Sequence, residues 1–383
     1  MKVFYEFGLR QVNKRGEELC GDSVEFTLKP DAATLVLSDG LGSGVKASIL
    51  STLTTRIATR MLDAGLPLDE VVRTVSETLP ICRVRKIAYS TFSIGQLSTE
   101  GSAEFVVFDN PPPLLVRGNK AQRLDAEEHE MGGKRVSHYS FPFHPGDWLV
   151  LVSDGVLNAG IGGAYRLGWG WESLQAYVES HVHESLSAEG LASKLARVVE
   201  ELYEGPPGDD VSIAVVKARR KRTLTMLIGP PAEPQNDDRV VDALMSGPGR
   251  RVVCGGTTAR IVARRLGRPI EVDLETGTES VPPIGRIEGI DLVTEGTLTV
   301  TKALEILREE LPGEPWKLKI DGANRLVDLL SDADAVKVIV GRAMNPAHQN
   351  PKLPKNLSLK TQVIEVLAEV LRRKGKQVDI EYY

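Results

Sequence analysis

Cysteine is nearly absent. The 383-residue chain has three, Cys20, Cys82 and Cys254, an odd number set far apart, so neither a disulfide framework nor a cysteine zinc cluster is implied. A reducing cytoplasm suits such a chain. A basic excess is missing as well. Lys and Arg number 47 against 52 Asp and Glu, a net charge of −5, which argues against nucleic acid as a partner. No apolar run approaches the roughly 18 residues that cross a bilayer, and the N-terminus lacks the apolar core of a signal peptide, so no membrane partner is expected. Histidines show no ligand spacing. His181 and His183 lie two apart on an expected helix and do not share a face, while His129, His138 and His144 fall in loop-like sequence. No Ser or Thr is paired with His and Asp as a triad would require.

What is present is globular: 42% hydrophobic and 26% charged residues, over a length that suits two or three domains. Up to about residue 217, strand-like runs at 3–9, 33–37, 90–97, 103–109, 112–118, 147–153 and 211–218 mix with helical periodicity at 45–63, 68–79, 171–180 and 188–204. Strands in succession without a regular βαβ rhythm predict an α+β layered domain. The charge run ARRKR at 218–222 marks a change of rhythm. Strand and helix then alternate: runs at 223–228, 250–254, 290–296 and 335–341 each lead toward a helix, the last through a Pro/Asn-rich loop to a helix near 358–373. That alternation predicts a smaller α/β domain with a mostly parallel sheet. The domains are therefore placed at 1–218 and 223–383.

The chemistry lies in four acidic sites at strand ends. Two apolar runs, 35–37 and 149–152, each finish in Ser-Asp-Gly, giving Asp39-Gly40 and Asp154-Gly155. Asp209-Asp210 immediately precedes the run 211–216, and Gly21-Asp22-Ser23 precedes a shorter one. Any one of these reads as turn chemistry. Together they would meet at one rim of a sandwich, where carboxylates repel and desolvate one another until a divalent cation relieves them. Oxygen ligands suit Mg²⁺ or Mn²⁺. Two such ions about 3.5–4 Å apart lower the pKa of a bridging water and clamp a phosphoryl group. The glycines would let the backbone turn sharply and leave the Gly40 carbonyl free to ligate.

The set Glu18–Ser23, SDGLGSG at 38–44, VSDGV at 152–156 and GDDVSIAVV at 208–216 resembles the metal-dependent PPM protein phosphatases, and within them the SpoIIE-type serine phosphatases of bacteria. STFSIGQL at 90–97 and VFDNPPPLLVRG at 107–118 extend the likeness across residues 1–218. The resemblance implies a PPM-type α-β-β-α sandwich. It implies two Mn²⁺ or Mg²⁺ ions, with Asp39 bridging both, Asp22 and the Gly40 carbonyl on one, and Asp154 and Asp209 on the other. Asp39 and Asp154 would be the catalytic carboxylates. It implies hydrolysis of phosphoserine or phosphothreonine on a protein, such as a STAS-type anti-sigma-factor antagonist. The helices between 44 and 80 would act as a switch in addition to covering the sheet. Arg10 and Arg15 match no phosphate clamp. The extra domain follows the phosphatase region instead of preceding it, as SpoIIE-type regulatory regions commonly do. A homodimer stays open.

The second domain resembles no family. Three of its strands end in small-residue loops that open helices, at 254–258, 294–297 and 341–343. In a parallel sheet these ends share one edge, where ligands bind. A small phosphorylated or carboxylated ligand is expected near Gly255, Gly256, Thr257 and Thr258, against ordinary tight turns as the plainer reading. Cys254 reads as a packing cysteine. The rival to an enzyme is a catalytically silent signalling scaffold whose second domain binds a small anion.

Overall fold

Continuous apolar strands need cover on both faces, and the first unit is layered accordingly. The computed structural model describes residues 2–78, 90–162, 165–278, 281–308, 321–343 and 359–383. Cys82, the end of the helix expected to reach 79, the start of the helix expected near 358 and most of the Pro/Asn-rich loop lie outside the described residues. The chain divides into two units, Met1–Arg220 and Lys221–Tyr383.

In the first unit the strands are β1 (Val3–Val12), β2 (Asp22–Leu28) and β3 (Ala32–Asp39), followed by α1 (Gly44–Asp63) and α2 (Leu68–Thr78). Then come β4 (Phe92–Ser98), β5 (Ser102–Phe108), β6 (Leu114–Arg117), β7 (Lys120–Gln122), β8 (Glu127–Met131), β9 (Lys134–Pro142) and β10 (Trp148–Val152). The unit closes with α3 (Asp154–Leu157), α4 (Gly170–His181), α5 (Ala188–Tyr203) and β11 (Val211–Arg220). Two antiparallel sheets result, ordered β1-β11-β10-β6-β7 and β2-β3-β4-β5-β9-β8.

Period-two side-chain direction sorts the strand residues into layers. Leu149 and Leu151 of β10 join Leu35 and Leu37 of β3 in the core between the sheets. Val150 and Val152 point the other way, onto Leu191 and Leu195 of α5. Val36 and Ile94 leave the second sheet's outer face for Val71, Val72 and Val75 of α2. The unit is thus the helix–sheet–sheet–helix sandwich of the PPM phosphatases. The β8–β9 hairpin escapes sequence reading because β8, Glu-Glu-His-Glu-Met, is an almost fully exposed edge strand with no apolar pattern. It corrects the loop placement of His129 and His138, which stand on β8 and β9.

The second unit comprises β12 (Thr223–Ile228), α6 (Asp237–Ser246), β13 (Arg250–Cys254), α7 (Gly256–Leu266), β14 (Glu271–Asp273), β15 (Ile284–Arg286), β16 (Leu292–Thr294), α8 (Thr297–Arg308), α9 (Gly322–Asp332), β17 (Ala335–Val340), α10 (Leu359–Arg373) and β18 (Gln377–Tyr382). Its sheet runs β14-β15-β16-β13-β12-β17-β18. The five strands from β16 to β18 in that order are parallel, and β14 and β15 add an antiparallel edge. Helices α6 and α7 pack on one face. Helices α8, α9 and α10 pack on the other.

Candidate metal centre

The acidic rim is assembled by strand register. Antiparallel pairing of β2 with β3 sets Asp22 directly opposite Asp39. On the other sheet, β10 ends at Val152 and its successor Ser153 bonds across to the start of β11: its Oγ accepts the Ser212 N–H at 2.9 Å. That contact brings Asp154, the first residue of α3, alongside Asp209 and Asp210. Strand ends from both sheets therefore deliver Asp22, Asp39, Asp154 and Asp209 to one place.

The cost of this gathering is visible in each carboxyl. Asp22 is only 5% exposed. Burial first, then the charges of Asp210 and Asp154, push its pKa up to about 6, against the pull of the Ser212 and Ser153 hydroxyls. Asp39 is pushed up to about 8, by burial first and then by Asp22, Asp154 and Asp209. Asp154 is raised by burial and by Asp209. Lys14 is the local counterweight: its Nζ lies 3.3 Å from Asp209.

The glycines have a different role from the one expected. Neither Gly40 nor Gly155 has a positive φ, so a sharp turn is not what requires them. Close approach is. A β-carbon on Gly40 would sit 2.2 Å from the Ala47 carbonyl oxygen in α1, and one on Gly155 would sit 2.1 Å from the Asp210 carbonyl oxygen. Gly21 likewise makes room, since its β-carbon would fall 2.7 Å from Asp210 Oδ2.

Sequence reading missed several residues here. Lys14 binds the rim at two points, its backbone N–H donating to Asp210 Oδ1 at 3.0 Å. The pairing of Val12 with Val211 is the signal that places Lys14 beside Asp209, and it needs the knowledge that first and last strands pair. Gln11 Nε2 donates to Ser212 Oγ at 2.9 Å. Asp210 is buried, at 4% exposure, and works as a structural partner of Lys14 and Gly21. Arg10, one of two upstream arginines, pairs with Glu189 of α5.

The donor set fits hard divalent cations. All four carboxylates offer oxygen donors, and Asp22 Oδ2 is buried with no hydrogen-bond partner, an arrangement that a bare protein makes at a cost and a cation would relieve. A second grouping, Glu127, His129 and His138, brings one ligand atom from each within 4.8 Å. It is a surface feature of the β8–β9 hairpin and already pairs internally, His129 with Glu127 and His138 with Glu104, each at 3.5 Å.

The architecture and this rim define a PPM-class phosphatase domain. Residues 29–219 match the family model described as Stage II sporulation protein E (SpoIIE). Over 158 residues the chain is 25% identical to Stage II sporulation protein E of Bacillus subtilis, and over 156 residues 24% identical to that of Priestia megaterium. Each alignment covers 39% of this chain, but only 19% and 26% of those longer proteins. Among solved structures, the PP2C phosphatase domain of SpoIIE from Bacillus subtilis with a fragment of its regulatory domain superposes with a TM-score of 0.50 at 21% identity, covering 57% of this chain and 63% of that one. The first unit belongs to the SpoIIE-type branch of the PPM phosphatases.

Proposed function

We propose that the first unit hydrolyses phosphoserine or phosphothreonine on a protein, using two Mn²⁺ or Mg²⁺ ions. The convergence of Asp22, Asp39, Asp154 and Asp209, with Asp22 Oδ2 buried and unpartnered, carries this reading. The ions, when bound, supply an acidified water and a clamp on the phosphoryl oxygens. The chain's own part is to hold them. Asp39 feels the charges of Asp22, Asp154 and Asp209 and would be the carboxylate shared by the two ions. Asp22 and the Gly40 carbonyl would hold one ion, and Asp154 and Asp209 the other. Lys14 Nζ, 3.3 Å from Asp209, competes with an ion for that carboxylate.

The expected substrate is a small phosphoprotein of the STAS-type anti-sigma-factor antagonist class, in a reducing cytoplasm. The described cysteines support that compartment, since Cys20 and Cys254 are free. No described helix is long and apolar enough to cross a membrane. Phosphate release from phosphorylated STAS-type proteins, stopped by EDTA and restored by Mn²⁺, is the test. No release from any of them, or wild-type turnover by Asp39→Asn, would overturn it. The silent scaffold is the weaker reading because every expected ligand position is filled by a competent residue. Calorimetry that detects no Mn²⁺ binding up to millimolar concentration would restore it.

Helix α1 supports regulation and self-association. Its buried face is small and hydroxylated, Ala47, Ser51, Thr54, Thr55, Ala58 and Thr59, while Val45, Ile49, Leu53 and Ile57 are exposed at helical spacing. A large aliphatic stripe turned outward is a protein-contact surface, and we assign it to a second copy of this chain. Gly40 backs onto Ala47 of this helix, so a shift of α1 moves a carbonyl of the metal rim. Sedimentation of Leu53→Glu against wild type tests the dimer, and a wild-type monomer at high concentration refutes it.

A further inference from the structure

We propose that the second unit binds a small hydroxylated phosphate ester in the crevice between β13 and β16. These neighbours are parallel, Cys254 pairing with Thr294. Their following helices leave to opposite sides of the sheet, α7 toward Leu227, Val240 and Val253, α8 toward Met226, Leu292 and Leu326. Diverging helices open a crevice beyond the carboxyl ends of two adjacent strands, the place where open α/β sheets take ligands.

The crevice floor is backbone. A β-carbon on Gly296 would lie 3.5 Å from the Gly255 α-carbon, so the two loops touch through their glycines. Gly255 carries a φ of 116° and supplies no side-chain cap to α7. The first-turn N–H groups of Gly256, Thr257 and Thr258 therefore have no intrahelical acceptor, and an 11-residue helix adds its positive end. A β-carbon on Gly256 would meet nothing within 4 Å, which leaves space for an anion there.

Side chains around the crevice are buried but unpaired. Thr258 Oγ1 has no partner although Thr258 is 1% exposed, and it lies 3.0 Å from the place of a Gly255 β-carbon, turned toward the loop. Thr299 Oγ1 on α8 and Asn324 Oδ1 on α9 are also unpartnered at 0% and 4% exposure, and Glu295 Oε2 joins them. Gly322, at the start of α9, brings that helix start against Thr294 and α8: its β-carbon would lie 3.2 Å from the Thr294 methyl and 3.6 Å from that of Thr299. Buried polar atoms without partners are uncommon in protein interiors, and these four lie on the loops and helix starts that follow β13 and β16 and on the start of α9.

Their chemistry selects the ligand. The helix N-terminus and Thr258 donate to an anion. Glu295 and Asn324 present oxygens that only accept and would repel a bare phosphate, so the same molecule must bring hydroxyl donors. Among the described residues, the neighbouring loop at 341–343 is already engaged. Lys360 donates to the Gly341 and Ala343 carbonyls, and Ala343 N–H donates to Pro230 O at 3.1 Å, closing the loop at 341–343. Cys254 is fully buried beneath the site, its thiol pushed up to about 12, and is a packing residue.

Calorimetry on the full chain with glycerol phosphate, ribose phosphate and AMP, and with inorganic phosphate, glycerol and ribose as separate arms, tests the proposal. At least one ester should bind about tenfold or more tighter than inorganic phosphate, and the free polyols should not bind. Thr258→Val removes one donor at nearly constant shape and should weaken that ester about tenfold, the size of one hydrogen bond. It also deletes an unpaired buried hydroxyl, so the ligand-free protein should melt at or above the wild-type temperature. Glu295→Gln should narrow the gap between ester and inorganic phosphate. No ester binding at about 10 mM, inorganic phosphate binding as well as every ester, or a Thr258→Val protein that binds the ester like wild type would each overturn it. None of these readouts depends on phosphatase activity.

Discussion

The strained carboxylates make the stability of the metal-free protein run against pH in an unusual sense. A carboxyl whose pKa is higher in the folded chain than in the unfolded one binds more protons when folded, so its stabilising contribution is complete at low pH and disappears as pH rises through the folded value. Asp22 and Asp39 move from 3.8 to about 6 and about 8. At about 1.4 kcal/mol per pH unit the two displacements set an upper bound of roughly 9 kcal/mol on the loss between about pH 4 and pH 9, and the coupling of the two groups brings it below that. Asp39→Asn removes the larger part. Without metal it should be more stable than wild type by up to about 5 kcal/mol near pH 8.5, and the advantage should shrink steadily with falling pH and vanish only near pH 4. Saturating Mn²⁺ should reverse the ranking, because cations bind the ionised wild-type rim and stabilise only the folded state. Thermal melts in EDTA and in Mn²⁺ across this pH range, followed by tryptophan emission, would show it: three of the four tryptophans, Trp148, Trp169 and Trp171, lie in the first unit. A wild-type stability that holds or climbs from pH 5 to pH 9 in EDTA, or an Asp39→Asn protein that gains nothing at high pH, would refute the reasoning.

Other outcomes follow from the same geometry. Asp39→Asn should lose about 10²-fold or more in phosphatase turnover, since a neutral amide no longer balances two cations, as steady-state assays with Mn²⁺ would report. Gly40→Ala should cost about 1–3 kcal/mol or more in urea melts, because its new methyl meets backbone and not a movable side chain. Lys14→Gln should tighten Mn²⁺ binding several-fold in calorimetry by freeing Asp209 from a competing ammonium, and unchanged affinity would remove Lys14 from the rim.

Local pattern was enough for much of this molecule. The apolar run at 147–153 and the strand at 211–218 are legible because a strand covered on both faces must be apolar throughout, and β10 and β11 prove buried along nearly their whole length. The four acidic positions are legible because Asp-Gly and Gly-Asp punctuate strand ends whatever the fold. What local pattern could not supply is distance between remote segments. Register alone decides that Asp22 faces Asp39, that Lys14 reaches Asp209, and that His129 and His138 share a hairpin. Gly40 and Gly155 look like turn residues in sequence, yet packing against Ala47 and Asp210 is what forbids a side chain there. In the second unit, the small-residue loops were plain to read, but which helix goes to which face was not. That choice sends α7 and α8 to opposite faces and leaves Gly255 and Gly296 touching between them, because it depends on which apolar faces the whole sheet must cover.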